Sequence, residues 1–177
     1  SNVFACGPQS IPTTEVVEGE FVTEIRQTFS DWATHVIRLT RGQPYVEVEW
    51  TAGPIPLNQP WLVPESEEKK MCGSGGCNWG KEVVLRYDTE VASGDVFYTD
   101  SNGRETVKRV RDARGPSYPS PYTISEPVAG NYYPVNALAS ISDDCVEFDV
   151  VVDTSLGGAS LRSCLLYTSD AADEFSW

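Results

Sequence analysis

The chain has 177 residues, with 26 acidic against 13 basic side chains, a formal net charge of −13 and a pI of about 4.4. That length suits one domain able to bury a core without metal or disulfide staples, and a field of that sign repels phosphate backbones, which argues against nucleic acid as a partner. No apolar run approaches the roughly 20 residues of a membrane helix, Ser1–Cys6 lacks a leader's basic-then-apolar pattern, and 40% hydrophobic with 22% charged residues argues against wholesale disorder.

Short β-type runs punctuated by Gly and Pro fill the chain. Phe21–Phe29 and Trp32–Leu39 are the first two predicted strands. Arg41-Gly42 then turns the chain into a third, where Val46, Val48 and Trp50 alternate with outward Glu47 and Glu49. Leu57–Trp79 breaks the pattern with prolines, a run of acids then lysines, and Cys72-Gly-Ser-Gly-Gly-Cys77, and reads as a long surface excursion. Val83, Leu85 and Tyr87 resume the alternation. Val96–Thr99 and Thr106–Arg111 flank Asp100-Ser101-Asn102-Gly103, a strong turn because Asn-Gly tolerates φ > 0 at two positions. A Pro- and Ser-rich loop at Arg114–Tyr122 precedes a strand expected over Asn131–Ile141. Val146–Asp153 is the clearest strand, with Val146, Phe148, Val150 and Val152 on one face and Glu147, Asp149 and Asp153 on the other. The expected fold class is therefore all-β, an antiparallel sandwich or barrel.

Candidate chemistry is sparse. The cysteines are Cys6, Cys72, Cys77, Cys145 and Cys164. Cys72 and Cys77 are disulfide candidates, while pairing of Cys6 with Cys145 stays open. A zinc site needs about four ligands, and one histidine without a second close cysteine pair does not supply them, so no metal site is expected in this chain. His35 lies in no H-x-D or H-E-x-x-H motif and reads as a strand histidine. Asp143-Asp144 and Glu47/Glu49 are carboxylate pairs by count, but solvated surface acids are the simpler reading in so acidic a chain. Tyr132, Tyr133, Trp61 and Trp79 have rings that stack on sugars in other settings, against ordinary packing as the bland alternative. Gly157-Gly158 lacks the Lys-Ser/Thr of a phosphate loop. Composition and spacing by themselves describe an acidic all-β domain with no self-contained active site.

Several runs are more specific. Phe97-Tyr98-Thr99-Asp100-Ser101-Asn102-Gly103-Arg104-Glu105 resembles a signature of glycoside hydrolase family 38, the lysosomal-type α-mannosidases. Glu126-Pro127-Val128-Ala129-Gly130-Asn131-Tyr132-Tyr133-Pro134-Val135-Asn136 is similar to the run that follows it there. Upstream, Gly42-Gln43, Val46–Trp50, Gly53-Pro54-Ile55-Pro56 and Gly80–Val83 resemble family segments in the same order, and Gly157–Arg162 resembles a later one. The likeness covers residues 1–163.

The resemblance implies a supersandwich-like, galactose-mutarotase-like β-sandwich fragment, truncated on its C-terminal side, with an unpaired strand edge near Val146–Asp153. It implies a parent enzyme that removes α-linked mannose from N-glycans with retention, using zinc, an Asp nucleophile and a second carboxyl group. Those groups belong to a catalytic barrel and helix bundle that this chain lacks. The chain alone is therefore expected to be inactive and to hold no cofactor, and its partners would be those missing domains and a mannose-containing glycan. A lysosomal, vacuolar or secreted location follows by the same resemblance. The competing reading is a free-standing carbohydrate-binding or structural module.

Three departures stand out. Phe4 occupies a family Tyr position that reaches substrate, so the ring stays and the hydroxyl goes. The segment 57–79 is an insertion. The likeness stops at Ser163, and 164–177 resembles the translation of a sequencing-library adapter, a non-native tail to be set apart from the fold.

Overall fold

The computed structural model describes residues 11–54, 83–114, 128–160 and 164–168, the last as backbone only. These residues are strands and turns, with one 3-10 turn at Ala129–Asn131 and no helix long and apolar enough to cross a membrane. The chain divides into two compact units, residues 2–81 and 82–177.

The first unit is an antiparallel meander, β1 (Thr13–Glu18), β2 (Val22–Ser30), β3 (Ala33–Thr40) and β4 (Glu47–Ala52), paired in that order. The period-two alternation sorts it into two faces. Val16, Ile25, Ile37 and Val48 lie opposite one another across the four strands, and Gln27, His35 and Trp50 form the adjacent row. On the other face an ion-pair ladder crosses the sheet. Arg26 meets Glu24 at 2.7 Å and Glu15 at 4.0 Å, and Arg38 meets Glu24 at 2.9 Å and Glu49 at 2.6 Å.

The second unit has two four-stranded antiparallel sheets. One runs β10 (Glu147–Val151), β9 (Leu138–Ser142), β6 (Val96–Ser101), β7 (Glu105–Val110). The other runs β5 (Val84–Asp88), β12 (Cys164–Thr168), β11 (Leu156–Ser160), β8 (Tyr133–Val135). Phe97, Ala139 and Ile141 from the first sheet pack with Val135 from the second and Val91 from the β5–β6 link. Tyr87, Tyr133, Phe148, Val150, Val152 and Leu156 pack against this core half-buried. Burying each of Phe97, Ile141 and Val135 contributes about 1.5–3 kcal/mol of transfer free energy. Residues from two sheets enclosing one core make this unit a β-sandwich.

Most expected strands form within a residue or two. Val146–Asp153 is β10, an edge strand whose inward Phe148 and Val150 alternate with exposed Glu147 and Asp149. The single strand expected over Asn131–Ile141 is instead the 3-10 turn, β8 and β9, in two different sheets. The break at Asn136–Ala137 has a cause: a buried carboxylate takes the backbone N–H groups there, as described below. Two strands have no counterpart in the expectation. β1 has six exposed residues and so no apolar face to announce it, and β11 contains Gly157-Gly158, which look like loop residues. β12 falls in the segment set apart as a tail, and its backbone lies between β5 and β11. Phe4, Cys6, Cys72, Cys77, Trp61, Trp79, the 57–79 insertion and all but the first residue of the Arg114–Tyr122 loop lie outside the described residues.

Candidate functional site

The two most specific sequence runs meet in space, around Asp100 and around Tyr133. Asp100, near the end of β6, is 5% exposed. One carboxylate oxygen, Oδ1, accepts the N–H groups of Asn136 (2.8 Å), Ala137 (2.9 Å) and Leu138 (3.1 Å). The other, Oδ2, accepts the N–H of Gly103 at 2.7 Å. Asn102 and Gly103 both take left-handed backbone angles, φ 53° and 67°, and the Arg104 N–H closes the turn on the Ser101 carbonyl at 3.0 Å. One side chain thus ties the β6–β7 hairpin to the β8–β9 link. Burial pushes the Asp100 pKa up, but donation from Ala137, Leu138, Gly103 and Asn136 outweighs it and holds the carboxyl well below its ordinary range. A carboxylate so engaged is a structural acceptor and a poor base.

Tyr133 sits at the second junction. Phe97 meets its ring edge-on at a centroid distance of 5.6 Å. The Arg109 guanidinium lies 4.5 Å from the ring centroid, with its Nε donating to Thr99 Oγ1 at 3.1 Å. Arg114 lies 5.2 Å from the same centroid and donates to the Tyr133 hydroxyl and to the Gly130 carbonyl. Beside it, Asn131, fully buried, and Asp112, exposed just beyond the end of β7, bond reciprocally. The Asp112 N–H donates to Asn131 Oδ1 at 2.9 Å, and Asn131 Nδ2 donates to Asp112 Oδ1 at 2.8 Å. Asp112 takes a left-handed φ of 56°, which turns the chain out of β7 so that this exchange is made.

This geometry places the family-like residues individually. Asp100, Asn131 and Tyr133 hold elements together, and Asn102 and Gly103 make the turn. Arg104 and Glu105 are exposed at the hairpin. Gly130 supplies a carbonyl to Arg114, Pro134 is exposed on β8, and Tyr132 is half-buried with bonds of its own. The Tyr133 ring, weighed as a sugar platform against ordinary packing, is occupied by two guanidiniums and Phe97. Arg109, Asp112 and Arg114 were not singled out from the sequence. A Lys-Arg-Val-Arg-Asp run at a strand end carries no mark of the residues it meets some 20 positions later.

The remaining candidates are scattered. Asp143 accepts the N–H groups of Ala92 (2.9 Å), Cys145 (2.8 Å) and Val146 (2.9 Å), which cap the β9–β10 turn and lower its pKa. Asp144 and Glu47 are exposed, and Glu49 pairs with Arg38. Cys145 is an exposed free thiol. His35 Nδ1 bonds Gln27 Oε1 at 3.1 Å while its Nε2 is buried without a partner, and burial lowers its pKa. Among the described residues, no group of three or more His, Cys, Asp or Glu side chains is placed to hold a metal ion. These residues therefore do not fit a zinc centre.

An antiparallel two-sheet sandwich, tied together at Asp100 by backbone donors, defines a β-sandwich domain. The family model of the glycosyl hydrolases family 38 C-terminal domain matches residues 7–168, and the chain belongs to that family. It is 43% identical over 148 residues to the lysosomal alpha-mannosidase of Cavia porcellus, covering 84% of this chain and 13% of that protein. The corresponding protein of Homo sapiens is 44% identical over 147 residues, 83% of this chain and 12% of its own length. An alpha-mannosidase of Canavalia ensiformis is 39% identical over 149 residues, 84% and 13%. The chain thus spans only a small part of the curated relatives it matches.

Proposed function

We propose that this chain is the non-catalytic β-sandwich region of a zinc-dependent, retaining α-mannosidase that hydrolyses α-linked mannose of N-glycans. The observation that carries this reading is Asp100. The most buried acid of the family-like hairpin is spent on four backbone donors, so the segment most diagnostic of the family builds a scaffold. The catalytic barrel and helix bundle are then the partners, supplied by the rest of the same polypeptide, which is the larger part of the relatives' length. In this reading zinc is held by those parts of the polypeptide. Phe4 would face the substrate pocket from this region. A lysosomal location accords with the name of the Cavia porcellus relative, and a vacuolar location or secretion belongs to the same proposed reading.

Residues 164–177 stand in this reading as a non-native tail, with β12 filling a place that native sequence takes in the parent. Sequencing the source transcript past the codon for Ser163 tests this; a frame that continues unchanged through Thr168 in independent transcripts refutes it.

The functional test is hydrolysis of an aryl α-mannoside by the isolated chain with and without added zinc. No turnover is expected in either condition. Turnover that a chelator abolishes overturns the proposal.

A further inference from the structure

We propose that Asn102 is a site of spontaneous deamidation, and that the Asp100 carboxylate holds the reaction in check while the domain is folded. Asn102-Gly103 is the one Asn-Gly pair in the sequence, and both residues are exposed at the tip of the β6–β7 hairpin. The chemistry needs the Gly103 backbone nitrogen to attack Cγ of Asn102. The N–Cγ bond forms, the Cγ–Nδ2 bond breaks, and the side-chain nitrogen leaves as ammonia with the proton given up by the backbone. Water then opens the cyclic imide to aspartate or isoaspartate. Water is the only co-reactant, and Gly favours the attack because no side chain shields its nitrogen.

The fold withholds that nitrogen. The Gly103 N–H donates to Asp100 Oδ2 at 2.7 Å. Asp100 is itself buried and held by three further N–H groups, so it does not swing away. It does not take the proton either, because the same donors make it a very weak base. Attack therefore waits on local opening of the hairpin. Once made, the product adds a carboxylate two residues from Asp100. As isoaspartate it also lengthens the backbone by one carbon inside the turn, against the Ser101–Glu105 pairing. The bond from Asn136 Nδ2 to Asn102 Oδ1, 3.4 Å, loses its geometry with it.

The experiment is peptide mapping by mass spectrometry after incubation at neutral pH. It compares the native chain, the chain unfolded in urea, and a peptide spanning Phe97–Lys108. Conversion at Asn102 should be fast in the last two and at least about tenfold slower in the native chain, the factor set by opening a charge-assisted hydrogen bond. Hydrogen exchange of the Gly103 amide should slow in parallel, and both rates should rise together as urea is added below the unfolding transition. In a folded Asp100→Asn variant, conversion should approach the peptide's rate. Where that variant does not fold, the two wild-type measurements decide. Equal conversion in native and unfolded chains overturns the proposal, as does a Gly103 amide that exchanges freely while conversion stays slow, or a folded Asp100→Asn that converts no faster than wild type.

Discussion

The two units use carboxylates in opposite ways. In the sandwich, Asp100 is buried and serves four backbone N–H groups across two sequence-distant segments. In the meander, Glu15, Glu24 and Glu49 meet Arg26 and Arg38 on an open sheet face, with side chains 22–68% exposed. The first arrangement satisfies four backbone donors at a buried carboxylate, so removing the acceptor exposes the cost of dry N–H groups. The second exchanges hydration for contact in high dielectric, so each pair is worth little and salt weakens it. Shared chemistry gives a structural joint in one place and surface adhesion in the other, and burial makes the difference.

The sharpest way to break this contrast is Asp100→Asn. The isosteric amide brings its own N–H into a nest of donors, and we expect a loss of about 3 kcal/mol in urea unfolding of the sandwich. A loss under about 0.5 kcal/mol would mean that the N–H groups find water instead. Next comes Tyr133→Phe, which keeps the ring between Arg109 and Phe97 and removes only the hydroxyl that accepts from Arg114. The expected loss is about 1 kcal/mol by the same measurement.

The pH response separates the units further. Asp100 has a depressed pKa in the fold, so its stabilisation is complete above the ordinary carboxyl value of 3.8 and contributes no slope at neutral or mildly acid pH. His35 is the reverse case. Burial lowers its folded pKa below 6.5, so the unfolded state binds more protons, and stability falls as pH drops through 6.5 towards the folded value. Protection of the β3 amides, their exchange rate relative to the intrinsic rate at each pH, should weaken between pH 7 and 5, and His35→Gln should flatten that change. The smallest expected effect is Glu24→Gln. Its pKa is lowered chiefly by its bond to Arg38 and then by Arg26. A slight destabilisation at low ionic strength should vanish in high salt, and a salt-insensitive loss would show that the ladder is not a surface feature.

Legibility followed local against distant causes. The strands β4, β6, β7 and β10 were readable because their alternation is written in adjacent residues. The Asn102-Gly103 turn was readable because its backbone angles belong to those residue types. The family-like runs pointed to the right segments, yet three of the four donors to Asp100 lie 36–38 positions away and share no pattern with it. Tyr133, weighed as a sugar platform against ordinary packing, is the centre of a packed cluster, because Arg109 on β7 and Arg114 beyond its end reach it.

The sequence by itself determined the class of the fold, the family, the sign of the surface field and the turn at the tip of β6–β7, all consequences of residue type and short spacing. Only the tertiary structure decided what the residues of the shared motifs touch. Whether a carboxylate is an acid, a base or a brace depends on which donors surround it and how much water reaches it, and chain folding alone brings those donors together.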